Sequence, residues 1–148
     1  MDKIQSEQEE EYNFPYHYVS EFREKFTQTF NDTWGINYVA TIEYILNRLK
    51  KESFETLIDV GCGDGRLVRE LNTEFPDKKI FGIDYSEKAI NLAKALNPNC
   101  NFTCVDIIKE VKYNADVITL IEVFEHIHPS ISANFVDGIH KHLNKNGV

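Results

Sequence analysis

Apolar residues along this chain recur with two different periods, and the alternation between them outlines a fold. Val39, Ile42, Leu46 and Leu49 share one helical face and predict an α-helix from about Ile36 to Lys51. Beyond it, short apolar runs near residues 56–61, 80–84, 101–106 and 115–121 read as strands. Helical patterns near 65–75, 87–96 and 131–143 separate or follow them. Ser86 is a good N-cap for the second of these helices, Pro98 lies just past its end, and Asn144-Lys145-Asn146-Gly147 closes the last. Strand–helix alternation with short connections predicts an α/β fold, a parallel sheet doubly wound by crossover helices. Val117-Ile118-Thr119-Leu120-Ile121 is almost unbroken apolar, as a strand covered on both faces should be.

The first 35 residues follow another pattern. An acidic run, Glu7-Gln8-Glu9-Glu10-Glu11, reads as a solvated tail. Tyr12, Phe14, Tyr16 and Tyr18 then sit two apart, with Pro15 disfavouring helix at Phe14. Val19, Phe22, Phe26 and Phe30 revert to helical spacing. The chain therefore divides into residues 1–35 (tail, aromatic segment and helix) and a core over residues 36–148. The aromatic segment is expected either to seal the core or to close over a ligand as a lid.

A length of 148 residues suits one domain able to bury about 70% of its unfolded surface. No apolar run approaches the ~20 residues of a membrane helix, and Met1–Ser6 contains no apolar signal core. Cys62, Cys100 and Cys104 cannot all pair within the chain, so the expectation is reduced thiols and a cytoplasmic protein without membrane contact. Cys100 and Cys104, flanking the third strand, read as small buried apolar residues. Net charge is -8, and Lys50-Lys51 and Lys109/Lys112 are too small to form a basic patch, which argues against nucleic acid as partner.

The chemistry concentrates at Leu57-Ile58-Asp59-Val60-Gly61-Cys62-Gly63-Asp64-Gly65, where an apolar strand runs into three alternate glycines and then a helix. Such glycines permit a tight turn and close approach of a ligand to the main chain. The N–H groups at the helix start favour an anionic group on that ligand. Asp84 closes the next strand, where it can accept both hydroxyls of a ribose. In a doubly wound sheet ligands sit at the carboxyl ends of the strands, and Asp59, Asp84, Asp106 and Glu122 all fall there. Loop, helix start and acid describe a nucleoside pocket. A dinucleotide fingerprint would want a third glycine at position 66, which is Arg.

LIDVGCGDG resembles the first motif of the class I S-adenosylmethionine-dependent methyltransferases. The resemblance runs over roughly residues 36–148 and includes GIDYS, CVDI and ADVITLIEVFEHI. It implies a Rossmann-like sheet and S-adenosyl-L-methionine as cofactor, with S-adenosyl-L-homocysteine as product. It also implies that the methionine carboxylate and amine meet Asp59 and the loop of Gly61, Cys62, Gly63 and Gly65. By the same resemblance Asp84 meets the ribose, and Tyr85 and Ile107 lie beside the adenine with Asp106 near its exocyclic amine. For Asp59 the alternative is that it only ties down the adjacent loop. Cys62 also admits a nucleophile reading, since a helix N-terminus lowers a thiol pKa, but the preferred one is that a small side chain fits between two glycines.

Glu122-Val123-Phe124-Glu125-His126 follows the fourth strand, where its side chains should stand above the sulfonium. Glu122 is grouped with the cofactor residues, and Glu125 and His126 with catalysis, His126 as general base for a hydroxyl acceptor. E-x-x-E-H resembles small-molecule O-methyltransferases. It also resembles small-RNA 3'-end ribose methyltransferases, where these residues bind a divalent metal with a distant fourth histidine. No metal is assigned, because that fourth ligand would fall beyond residue 148. The expected activity is methyl transfer to a small or medium polar acceptor at oxygen. The alternatives are RNA ribose 2'-O-methylation and a non-catalytic cofactor-binding module completed by a partner chain. Nicotinamide oxidoreduction is opposed by Arg66 and the loop spacing. Members of the family continue for three strands after the turn Asn146-Gly147. The sheet is accordingly expected to lack its C-terminal strands, leaving the fourth strand at an edge. That edge would be covered by a second copy in a homodimer, by another chain, or by the aromatic segment.

Overall fold

The structure, a computed structural model, describes residues 29–148, with side chains from residue 37 onward. The acidic run, the aromatic segment at 12–18 and most of the helical pattern at 19–30 lie outside the described residues.

Helix α1 spans Thr29–Leu49, followed by β1 (Thr56–Val60), α2 (Arg66–Glu74), β2 (Lys79–Asp84), α3 (Glu87–Leu96), β3 (Asn101–Cys104), β4 (Val117–Leu120) and α4 (Ser132–His142). A 3-10 turn at Phe124–His126 stands between β4 and α4. The elements follow the expected order. The largest displacement is α1, which starts seven residues before Ile36, because Asn31, Asp32 and Gly35 are poor helix formers yet do not break it. Ser86 caps α3 as expected, its Oγ accepting from the Ala89 N–H at 3.1 Å.

The four strands are all parallel in the order β3-β2-β1-β4. Strand order therefore reverses between β1 and β4, which locates the crevice of a doubly wound sheet at their carboxyl ends. Side chains alternate across the sheet. On one face Leu57, Ile80, Phe102 and Val117 pack with Ile42 and Leu49 of α1, Leu71 of α2 and Ile90 of α3. On the other, Ile58, Val60, Ile83, Val105 and Ile107 pack with Phe135 of α4. Both faces of the sheet are covered.

β3 and β4 are the two edges. The edge position of β3 corrects one expectation: Cys104, at its carboxyl end, is exposed and Cys100 only half-buried, because no strand among the described residues covers that flank. Beside β4 the chain's own residues supply the first contacts. The Val148 N–H donates to Asp116 O at 2.9 Å, and the Ile118 N–H to Val148 O at 2.8 Å.

Candidate functional site

The glycine loop leaves β1 through a left-handed backbone. Gly61, Gly63 and Gly65 have φ of 72°, 54° and 83°, conformations that cost an L-residue about 1–2 kcal/mol. At Gly61 and Gly65 space excludes a side chain as well. A Cβ at Gly61 would lie 2.4 Å from Val123 Cγ2, and one at Gly65 2.5 Å from the Phe102 ring. The loop is tied to its neighbours by main-chain and side-chain bonds. The N–H groups of Gly61 and Cys62 donate to Ile83 O at 2.8 and 3.1 Å. The Asp84 carboxylate accepts from the Gly63 N–H at 3.0 Å and from the Ser86 N–H at 2.8 Å, joining the loop to the start of α3. Asn97, buried at the end of α3, donates to Asp64 O at 3.2 Å and Ala93 O at 3.1 Å.

One row of the sheet runs beneath this loop. Register places Phe102, Gly82, Asp59 and Thr119 side by side on β3, β2, β1 and β4. Asp59 is 3% exposed, and the Thr119 hydroxyl donates to its Oδ1 at 2.7 Å. Burial pushes the Asp59 carboxyl up to about 7. The Thr119 hydrogen bond works against this, and the nearby Asp84 charge adds to it. The same burial, then the charges of Asp84, Asp59 and Asp64, holds the Cys62 thiol well above its usual range. Cys62 therefore stays protonated at neutral pH, which removes the nucleophile reading and leaves the small-side-chain one.

The remaining expected residues follow the carboxyl ends of β2, β3 and β4. Tyr85, 58% exposed, follows β2, and its carbonyl accepts from Cys104 Sγ at 3.3 Å. Asp106 is half-buried and caps its own turn: Oδ1 accepts from the Ile108 N–H at 3.1 Å and Oδ2 pairs with Lys109 at 2.7 Å. Ile107 is buried against α4. Glu122 is exposed with φ of 50°, an unusual backbone for a non-glycine residue, and Val123 beside it packs on Gly61. In the 3-10 turn Glu125 is exposed and His126 half-buried. Among the described residues no three His, Cys, Asp or Glu side chains are gathered to hold a metal, so the E-x-x-E-H residues form no such set by themselves. His128 accepts from the Ser130 N–H at 3.2 Å, and buried His142 donates from Nδ1 to Gly138 O at 2.8 Å. Both rings serve local structure.

Thr119 and Asn97 were not anticipated from sequence. The only signal was a single hydroxyl inside the apolar run 117–121, and nothing marked Asn97 beyond its place before Pro98.

A family model for the methyltransferase domain matches residues 58–148, from within β1 through α4. The chain belongs to the methyltransferase domain family. This methyltransferase domain is 38% identical over 63 residues to a trans-aconitate 2-methyltransferase of Escherichia coli, covering 43% of this chain and 25% of that protein. It is 28% identical over 109 residues to a small RNA 2'-O-methyltransferase of Arabidopsis thaliana, covering 64% of this chain and 12% of the other. The chain thus spans a quarter or less of these curated relatives. In fold it is similar to the crystal structure of magnesium protoporphyrin IX methyltransferase from Synechocystis PCC 6803 with bound S-adenosylmethionine. The TM-score is 0.76 at 13% identity, covering 97% of this chain and 73% of that one. No helix among the described residues is long and apolar enough to cross a membrane.

Proposed function

We propose that this methyltransferase domain binds S-adenosyl-L-methionine at the glycine loop and transfers its methyl group to an oxygen of a small or medium polar acceptor. The observation that carries the reading is the loop itself. Three left-handed glycines follow β1 just after the buried carboxylate of Asp59, and the Gly63 N–H ties their loop to Asp84. A buried acidic pair favours a ligand carrying positive charge, and the cofactor brings both an ammonium and a sulfonium. Asp59 takes the ammonium, and the loop of Gly61, Cys62, Gly63 and Gly65 with the α2 N-terminus takes the carboxylate. Asp84 accepts the ribose hydroxyls, while Tyr85, Asp106 and Ile107 frame the base.

Bound there, the cofactor supplies an electrophilic methyl on a good leaving group. The protein's work is therefore positioning, an effect that can supply about 7–11 kcal/mol. Glu122, Glu125 and His126 border the crevice where strand order reverses. His126 accepts the proton that the acceptor hydroxyl loses as its oxygen bonds to the methyl group. Between Lys112 and Lys141 the sequence has no Lys or Arg. That segment suits a neutral or cationic acceptor better than an anionic one, which weighs against RNA.

The aromatic segment at 12–18 is proposed either to seal the core or to close over the donor as a lid, and the outer edge of β4 to receive a second copy or a partner chain. Free Cys62, Cys100 and Cys104 suit a cytoplasmic setting.

Calorimetric titration with S-adenosyl-L-homocysteine, beside Asp84→Ala, tests the donor site. Micromolar binding that the variant loses is the expected result. A folded chain that binds no S-adenosyl-L-homocysteine would overturn the reading. Methylation of a 2'-hydroxyl RNA end dependent on added divalent metal, with no turnover of small hydroxyl acceptors, would favour the RNA alternative suggested by E-x-x-E-H.

A further inference from the structure

The geometry points to Thr119 as a positioning residue that keeps Asp59 charged so that its carboxylate can hold the ammonium group of the donor. The inference rests on the donor-binding reading above and adds to it a residue and a pH dependence.

Asp59 and Thr119 are register partners on β1 and β4, the two strands between which strand order reverses. Both are buried, and once Asp59 is ionised the contact of 2.7 Å has one possible direction, with the hydroxyl donating to the carboxylate. Burial and the nearby Asp84 oppose the charge of Asp59. Gly82, its β2 neighbour in the row, has no side chain, and the Phe102 ring lies beyond it. Asp84 at the end of β2 is a like charge. The titratable groups of the loop, the Cys62 thiol and Asp64, belong to the same acidic cluster. Without the Thr119 hydroxyl, burial and Asp84 act alone, and both favour the protonated acid. A protonated carboxyl offers an ammonium no charge, so the loss of this hydroxyl weakens donor binding without touching the donor.

The test has two readouts. In the ligand-free chain, 13C NMR of labelled aspartate carboxyls, with Asp59 assigned through Asp59→Asn, follows the carboxyl directly. The wild-type midpoint is expected near pH 7. Removing a hydrogen bond to a charged group in Thr119→Val should raise it by about one to two pH units. Thr119→Ser should restore it, and Thr119→Ala replaces the valine variant if that one does not fold.

The second readout is the affinity for S-adenosyl-L-homocysteine between pH 5.5 and 7.5. Wild-type affinity should rise up to tenfold per pH unit and flatten near 7. In Thr119→Val it should still be rising at pH 7.5. A carboxyl midpoint unmoved by Thr119→Val overturns the inference. So does binding that is independent of pH, though such binding would leave the donor site standing. Absence of binding at every pH, with the Thr119-dependent titration intact, overturns the donor reading and with it the task given to the Asp59 charge.

Discussion

Replacing Asp59 with Asn should stabilise the protein at alkaline pH and leave its stability almost free of pH dependence from this site. An unfolded Asp loses its proton near 3.9, whereas folded Asp59 holds it up to about 7. Between those values the native state binds more protons than the unfolded one, so wild-type stability falls as pH rises across the window. Three pH units at 1.36 kcal/mol each put the full penalty at about 4 kcal/mol above pH 7. At pH 5 only about 1.5 kcal/mol of it has developed. The Asn side chain keeps an oxygen for the Thr119 hydroxyl, but its N–H groups need an acceptor in a buried site and can offset about 1–3 kcal/mol of the gain. That offset does not vary with pH. Urea unfolding followed by circular dichroism at pH 5 and pH 8 therefore isolates the charge. The gap between variant and wild type should widen by about 2–3 kcal/mol from the lower to the higher pH. A gap that is constant, or that narrows toward pH 8, would refute the claim that an ionised Asp59 is held in the core against its desolvation.

Further outcomes concern positions away from that carboxylate. Gly138→Ala should destabilise the domain although alanine is the better helix former by about 1 kcal/mol. The new Cβ would lie 2.4 Å from the Ile107 main-chain oxygen, which no rotamer change can move, and a lowered urea midpoint checks it. Asp116→Ala removes the acceptor for the Glu55 and Thr56 N–H groups and for Asn144, bonds open enough to water that the loss should be about 0.5–1.5 kcal/mol. The Asn144 bond first, then those two main-chain bonds, holds the Asp116 carboxyl below its usual value. Its contribution is accordingly present at neutral pH and lost as pH falls through the lowered value, so the two proteins should converge in an acid titration. Ser86→Ala deletes the α3 cap and should lower stability by about 0.5–2 kcal/mol. Hydrogen exchange at the first turn of α3 should report that loss locally.

The sheet and the loop were legible in the sequence because each rests on a local pattern. Alternating periods give the elements, and three glycines between a strand and a helix can serve little else than a close-approach turn. Asp84 was legible for the same reason, sitting at the end of the strand that follows. Thr119 was not, since one hydroxyl in a buried strand acquires meaning only when register sets it opposite Asp59. The exposure of Cys104 depends on β3 being an edge, and strand order is a tertiary fact that periodicity does not contain. The left-handed Glu122 likewise has no signature in its residue type, as glutamate is not a residue one expects at φ of 50°.

The Phe102 ring presses on two glycines, with its Cζ 2.5 Å from where a Cβ would stand at Gly65 and its Cδ1 2.6 Å from one at Gly82. The two positions should nevertheless drift differently over evolution. Gly65 is bound by its own backbone, φ of 83°, whatever its neighbours become. Gly82 has ordinary backbone, and its nearest obstacles are the ring and Cys62 Sγ at 2.9 Å. A lineage that trades Phe102 and Cys62 for smaller residues frees position 82 to vary, while position 65 stays fixed. A substitution at 82 should therefore be epistatic to 62 and 102, tolerated only once those side chains have become smaller.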